Sequence, residues 1–289
     1  AVANALDLSD FGAIAGLPFS GVGTAPRVQV AVKGNQVEVE AALSMRDMKF
    51  AHYSLGVVQT PVRYSGQTLS FPALAAQKGQ TQSFCAVALP FGDELHVTGG
   101  AQLPDGRVED VVDLLADLSS TMENLQDGVL TGRLGAVLTV DCPVSRLEGT
   151  IAANLRDVRY LERHLGGGGV IARFENGEGI RVEPTQLTGA LGQTSVDGMW
   201  KFAGPLDFRA RVDDGSMAEL FDPGGVSKTP VGGTFTANAI IGGTTDLMLV
   251  DALMHSGGVE WKAHDLGELQ LTAHVEGRAL EASGQLFNG

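Results

Sequence analysis

The residue types that could bind a phosphate or a metal occur in this chain without the neighbours that such sites need. The run Gly166-Gly167-Gly168-Gly169 has the composition of a phosphate-binding loop, but no Gly-Lys-Ser/Thr sequence follows it. We interpret the run as a flexible hairpin loop. Residues 213–215 (Asp-Asp-Gly) lack the ligand spacing of a calcium loop, and we interpret them as a turn that leads into a helix cap.

Nucleophiles and general bases are equally isolated. The histidines form no His-x-x-x-His pair on a predicted helix, so the sequence contains no zinc motif of that kind. There is no Gly-x-Ser-x-Gly elbow, and no histidine lies near a cysteine in the local sequence. We therefore expect that the chain is not an enzyme and that it uses neither a cofactor nor a metal.

The cysteines and tryptophans belong to apolar stretches. Cys85 and Cys142 each alternate in phase with apolar residues, so we expect two inert thiols on an apolar face. The cysteine count by itself is compatible with one disulfide or with two buried thiols. Trp200 and Trp261 are expected to pack on the same face.

The composition favours strands and excludes some partners. Hydrophobic residues make up 44% of the chain, aromatic residues only 6%, and there are 39 glycines, so the apolar surface is built from Val, Leu, Ala and Ile between frequent turns. The net charge of −14 argues against nucleic acid, which is bound by clusters of Lys and Arg. No run approaches the roughly 18 apolar residues of a membrane span. We expect the chain to be a piece of a longer protein whose targeting signal or membrane anchor lies outside it.

The sequence repeats itself. Residues 45–50 (Met-Arg-Asp-Met-Lys-Phe) match residues 155–160 (Leu-Arg-Asp-Val-Arg-Tyr), and Leu55-Gly56 matches Leu165-Gly166 at the same spacing. A longer spacing pairs Phe50 with Trp261. The ordered series predicts three units: residues 1–116 with an entry segment and an exit helix, residues 117–215, and residues 216–289, the last of them truncated.

Apolar residues alternate with polar or small ones within each unit. This period of two places the apolar side chains on one face of a sheet. Arg46-Asp47 and Arg156-Asp157 shift the phase by one residue, and a β-bulge at each point would keep the apolar face aligned. Turn-forming residues separate the runs, which predicts five or six short strands per unit in an antiparallel meander.

Each block of strands ends in a segment with helical spacing. Apolar residues between Val111 and Leu125 recur every three or four positions, which predicts a helical crossover near 108–125. Residues 216–219 (Ser-Met-Ala-Glu) have the form of a capping box, and Pro223 would end the second crossover near 216–222.

A sheet with one apolar face has to cover that face. Every block has the same polarity, which is compatible with a long sheet bent into a trough whose apolar side lines a continuous groove for hydrocarbon chains. Each buried methylene would contribute about 0.8 kcal/mol without polar recognition. A sandwich or solenoid packed on its own core is an alternative.

Several stretches resemble the repeat of the TamB and AsmA-like proteins. They are residues 132–140, residues 143–150 (Pro-Val-Ser-Arg-Leu-Glu-Gly-Thr), residues 155–158 (Leu-Arg-Asp-Val), residues 180–189 and residues 202–210. The likeness recurs more loosely in the first and third units and lies in the order of degenerate motifs. The resemblance implies an elongated β-trough, also called a β-taco, in the periplasm of a diderm bacterium. It implies phospholipid transport in outer-membrane biogenesis, with an inner-membrane anchor and an outer-membrane assembly partner bound through regions outside this chain.

The sequence therefore predicts a mainly all-β fold, an elongated repeating antiparallel sheet curved into an apolar-lined trough with short helical crossovers. The predicted function is a segment of a bridge-like lipid-transfer protein that shields phospholipid acyl chains. The alternatives are a structural or adhesive β-repeat scaffold with a self-packed core, and a carbohydrate-active β-helix, for which paired carboxylates and exposed aromatics are not found. The residues expected to line the groove are Val39, Leu43, Phe50, Leu155, Tyr160, Phe174, Phe208, Trp261 and Leu271.

Overall fold

Nearly all of the described chain is β-strand. The computed structural model describes residues 3–7, 9, 19–34, 36–50, 53–92, 94–115, 129–146, 148–161, 163–176, 178–202, 204–221, 231–244, 247–262, 264–277 and 279–287. The first seven strands are β1 (Ala3–Asp7), β2 (Phe19–Lys33), β3 (Gln36–Phe50), β4 (Tyr53–Ser65), β5 (Thr68–Lys78), β6 (Thr81–Pro90) and β7 (His96–Arg107), followed by the helix α1 (Val108–Leu115). The next six are β8 (Leu130–Pro143), β9 (Gly149–Tyr160), β10 (Arg163–Glu175), β11 (Gly179–Gly189), β12 (Gly192–Lys201) and β13 (Leu206–Ser216), followed by α2 (Met217–Phe221). The last five are β14 (Val231–Gly243), β15 (Met248–Trp261), β16 (His264–Asp265), β17 (Glu268–Glu276) and β18 (Ala279–Phe287); a 3-10 turn spans Val144–Arg146.

The strands form one continuous antiparallel sheet. Each strand pairs with the next along the chain, except that the short β16 pairs only with β15, which then also pairs with β17. The sheet is not closed into a barrel. The predicted all-β class is thus confirmed, but most strands are longer than the short ones expected: β2 and β3 have 15 residues each.

Bulges interrupt the alternation where the phase shift predicted them. Asp47 and Asp157 both have positive φ angles, 52° and 51°, and the pairing register shifts at each of them. A glycine lies on the neighbouring strand at both places, because a Cβ at Gly21 or Gly132 would lie 3.0 Å from the bulged backbone. The bulges keep the apolar side chains on either side of them on one face.

A third bulge corrects the interpretation of residues 213–215. They are not a turn, because β13 continues through them to Ser216. Asp214 has a φ of 52°, and the register with β14 shifts between Val212 and Gly215. The Asp-Asp-Gly signature reflects the positive φ of a bulged strand, which Asp tolerates better than most residues.

The four consecutive glycines are also not a hairpin loop. They lie inside β10, where Gly168 pairs with Leu155 and Gly167 with Thr188. Gly166 has a φ of 98°, and a Cβ built there would lie 1.9 Å from the Thr188 carbonyl oxygen. Glycine is therefore required by a close backbone approach within the sheet, which the sequence alone does not distinguish from a flexible loop.

Gly166→Ala is expected to lower the free energy of unfolding by about 1–3 kcal/mol, because it combines a backbone clash with a strained φ. Gly169→Ala is the matched control in the same run, since nothing lies within 4 Å of its Cβ position. Urea unfolding monitored by circular dichroism measures both. Equal loss of stability in the two variants would contradict the close approach at Gly166.

Prolines mark a second set of bends within the strands. Pro26, Pro72, Pro104 and Pro184 each lie within an interval where the pairing register of β2, β5, β7 or β11 shifts. Proline has no backbone N–H to donate to a ladder, so inside a sheet it is confined to edges and bulges. Since a bulged strand bends, these positions curve the strands between their two ends.

Both helices lie at the same end of the strands. We call this side of the sheet, where the strand ends line up, the bulged edge, because Asp47, Asp157 and Asp214 lie there. Six strands separate α1 from α2, and an even number returns the chain to the same edge. The helices fall within the predicted crossovers 108–125 and 216–222, of which residues 116–125 and 222 lie outside the described residues. Half of the predicted capping box forms, because the Glu219 N–H donates to Ser216 Oγ at 3.3 Å. The Glu219 carboxylate instead accepts the His164 N–H at 3.1 Å.

The molecule exposes far more surface than a compact protein of its mass. Its accessible surface is 16581 Å² for 30.1 kDa, whereas a compact monomer of that mass is expected to expose about 11,700 Å². The excess fits a single open sheet, in which each strand packs mainly on its two neighbours.

Candidate hydrophobic groove

The pairing register places apolar side chains from many strands on one face. Residues directly opposite each other in an antiparallel pair lie on the same face, so the register can be followed from strand to strand. One row, the central row, crosses the sheet from β5 to β18 without interruption. Its members are Leu74, Cys85, Ala101, Leu138, Ile151, Ala172, Val182, Gly198, Phe208, Ile241, Val250, Val275 and Leu280.

We call this side of the sheet the apolar face. At the paired positions of the described strands it carries no Asp or Glu, and its only cations are Lys78 and Arg163 at strand ends. The central row spans about 60 Å at roughly 4.8 Å per strand, twice the roughly 30 Å hydrocarbon thickness of a bilayer. The face thus provides a continuous uncharged surface along the sheet.

The opposite side, the polar face, carries the charged residues. Arg173 and Glu183 form an ion pair at 3.2 Å on neighbouring strands. His274 Nδ1 lies 2.7 Å from Asp251 Oδ1, and the hydrogen bond between them raises the pKa of the imidazole. These groups are exposed, so they keep the polar face hydrated, and their ion pairs contribute little to the stability of the sheet.

A row of alanines runs beside the central row in the last unit. On β13, β14, β15, β17 and β18 the register aligns Ala210, Ala239, Ala252, Ala273 and Ala282. Larger residues such as Phe208 and Val250 follow on one side of this row, and Val212 and Met254 on the other. The side chains of this row are therefore smaller than those of the rows on either side of it.

All the predicted lining residues whose side chains are described lie on the apolar face. Val39, Leu43, Leu155, Phe174, Phe208 and Leu271 are half-buried there. Tyr160 and Trp261 share the face but lie at its bulged edge, where each is 42% exposed. Phe50 ends β3, and its side chain lies outside the described residues.

Two of these residues pack beneath helices rather than in the open part of the face. Leu155 packs against the buried cluster of Val108, Val112 and Leu134, which joins α1 to the sheet. Leu271 packs against the cluster that contains Met217 of α2. The sequence did not predict that helices pack over these two residues. Alternation assigns a residue to a face of the sheet, but it does not show where on that face a crossover helix packs.

Trp200 packs on the apolar face as expected. Its side chain is buried, and its ring meets Phe202 edge-on with a centroid distance of 5.2 Å. The indole Nε1 is buried without a hydrogen-bond partner among the described residues, as is Thr194 Oγ1 of the same strand. Trp261 differs, because it lies at the exposed edge.

Both cysteines lie on the apolar face as free thiols, as the alternation predicted. Cys85 pairs with Ala101, and Cys142 pairs with Val97. Burial raises the pKa of the Cys85 thiol, which keeps it protonated and unreactive at neutral pH. The Cys142 Sγ accepts the Glu148 N–H at 3.1 Å.

Alkylation without reductant is expected to label both cysteines once the protein is unfolded, and to label neither quickly while it is folded. Cys142 is buried, and the raised pKa of the partly buried Cys85 thiol slows its alkylation, while their positions on different strands keep the two thiols from forming a disulfide. Intact-mass measurement before and after denaturation checks the result. An unfolded sample that takes up no label would indicate a disulfide and a different arrangement of the first two units.

The described residues contain no group of three His, Cys, Asp or Glu side chains placed to hold a metal. None of the described helices is long and apolar enough to cross a membrane.

Neither the protein-family models, nor the curated proteins, nor the solved structures include a match to this chain.

Proposed function

We propose that the chain is a segment of a bridge-like lipid-transfer protein whose apolar face shields phospholipid acyl chains. The observation that carries this proposal is the central row, in which residues from thirteen successive paired strands, β5–β15, β17 and β18, are all apolar. Hydrocarbon needs an uncharged path and no directional contact. Ten methylenes removed from water would supply about 8 kcal/mol.

The openness of the sheet favours this proposal over a scaffold with a self-packed core. Residues of the central row such as Leu138, Phe208 and Val250 are only half-buried, and the strands described all belong to one sheet. A self-packed array would bury such residues more completely, because protein interiors are close-packed. The small side chains of the alanine row also leave room for a hydrocarbon chain that large side chains would fill.

The resemblance to the TamB and AsmA-like proteins supports the same proposal from the sequence. On this resemblance the protein would act in the periplasm of a diderm bacterium, between an inner-membrane anchor and an outer-membrane assembly partner. Both would be engaged through regions outside this chain. This environment and these partners remain part of the proposal.

Photo-crosslinking of the parent protein in cells tests the proposal. A crosslinker at Leu138 or Val250, both in the central row, is expected to capture phospholipid, whereas one at Val137 or Asp251 on the polar face is expected to capture little. Val137 is the sharper control, because it is apolar and exposed. Mass spectrometry of the adducts identifies the lipid. Folded protein that yields no adduct at either face, or equal amounts at both, would favour the scaffold.

A further inference from the structure

Arginines from three neighbouring strands lie side by side at the bulged edge of the polar face. The register pairs Arg107 of β7 with Arg133 of β8, and Arg133 with Arg156 of β9. Like charges directly opposite each other destabilise a sheet. A row of three cations in a chain of net charge −14 is therefore a costly arrangement unless an anion lies against it.

The acidic side chains nearby neutralise only part of this row. Asp105 forms ion pairs with both Arg133 and Arg156, the latter at 2.8 Å. Arg107 and the neighbouring Arg159 have no ion pair with any described residue. Only Arg107 of the row is thus without an ion pair to a described residue, and Arg159 beside the row is a second such arginine.

A depression of about 620 Å³ brings these groups together. Arg107, Arg133 and Arg159 line it, along with Asp105, Glu109 and Asp157. The three carboxylates already have partners: Asp105 as above, Glu109 accepts the Gly132 N–H at 3.3 Å, and Asp157 lies 3.5 Å from His164 Nε2. Arg107 and Arg159 are thus the two arginines of the lining that form no ion pair with a described residue, while Glu109 and Asp157 keep their negative charge beside them.

We propose that this depression binds a phosphate group. Guanidinium groups bind phosphate through paired N–H donors, and Arg107 and Arg159 supply two such sets of donors without an ion pair to a described residue. Arg159 and Tyr160 are consecutive and face opposite sides of the sheet, so the depression lies beside the edge of the apolar face. The source of the phosphate is a lipid head group if the proposed function holds, on which this part of the inference rests, and free phosphate otherwise.

Calorimetry with inorganic phosphate at low ionic strength tests the site. The double variant Arg107→Gln/Arg159→Gln is expected to weaken binding at least tenfold. The control Arg63→Gln/Arg211→Gln removes two polar-face arginines that are ion-paired elsewhere, and it is expected to bind like the wild type. Circular dichroism verifies the fold of each variant. Absence of phosphate binding, or an equal loss in both double variants, would overturn the inference.

A second arm distinguishes the two sources. Short-chain phosphatidic acid is expected to bind more tightly than inorganic phosphate, and Ala153→Asp on the apolar face is expected to abolish only that gain. Phosphate binding that depends on Arg107 and Arg159 without any gain from the acyl chains would support the anion site and contradict the lipid function. Lipid binding that ignores both arginines would overturn the anion site and leave the lipid function standing.

Discussion

Replacing Ala153 by aspartate is expected to lower the occupancy of the apolar face by hydrocarbon about a hundredfold. Ala153 pairs with Ala136 and Val170 on that face and is half-buried. A charge placed in hydrocarbon surroundings costs about 2.5–3.5 kcal/mol. Because a lipid chain that moves along the groove has to pass every cross-section, one charge is expected to obstruct transfer by the whole parent protein.

Ala152→Asp is the matched control for this experiment. Ala152 is the preceding residue, starts from the same side chain, and lies exposed on the polar face opposite Val137 and Ile171. It is expected to leave lipid transfer unchanged. Transfer between donor and acceptor vesicles and lipid crosslinking measure the effect, after melting curves verify both folds. Equal impairment by the two variants, or none by either, is incompatible with a lipid path along the apolar face.

Met217→Ala is expected to lower the free energy of unfolding by about 2–5 kcal/mol. Met217 of α2 is completely buried among Leu191, Phe235, Met254 and Val259. The substitution removes most of a side chain that fastens the helix over the bulged edge. The cavity left behind adds to the lost transfer free energy.

Phe221→Ala in the same helix provides the control. Phe221 is 50% exposed, so its truncation is expected to cost less than 1 kcal/mol although it removes a larger side chain. Urea unfolding measures both variants. If Phe221→Ala cost as much as Met217→Ala, the helix would not lie over the apolar face in solution in the way described.

Alternation in the sequence was sufficient to predict which residues share a face. Leu43 and Phe208 lie where a period of two placed them, and the phase shifts at Asp47 and Asp157 are bulges. These features are local, because a strand keeps its period regardless of what lies next to it. The same local character made the all-β class predictable.

The features that were missed depend on contacts between distant residues. Position 166 requires glycine because the Thr188 carbonyl group approaches it closely. Nothing in the glycine run itself distinguishes such a strand from a loop. Leu155 and Leu271 belong to helix-covered clusters because α1 and α2 settle on the sheet. The arginines at positions 107, 133 and 156 are far apart in sequence, and only the register brings them side by side.

The six strands between α1 and α2 make the length of the sheet adjustable in discrete steps. Because the strands of this block pair only with their neighbours along the chain, duplicating a hairpin within it would extend the structure by about 9.5 Å and leave the contacts elsewhere unchanged. An odd insertion would move the following helix to the opposite edge, whereas an even one would keep it in place. Gene duplication could therefore match such a protein to the width of a cellular compartment, with two strands as the unit of measurement.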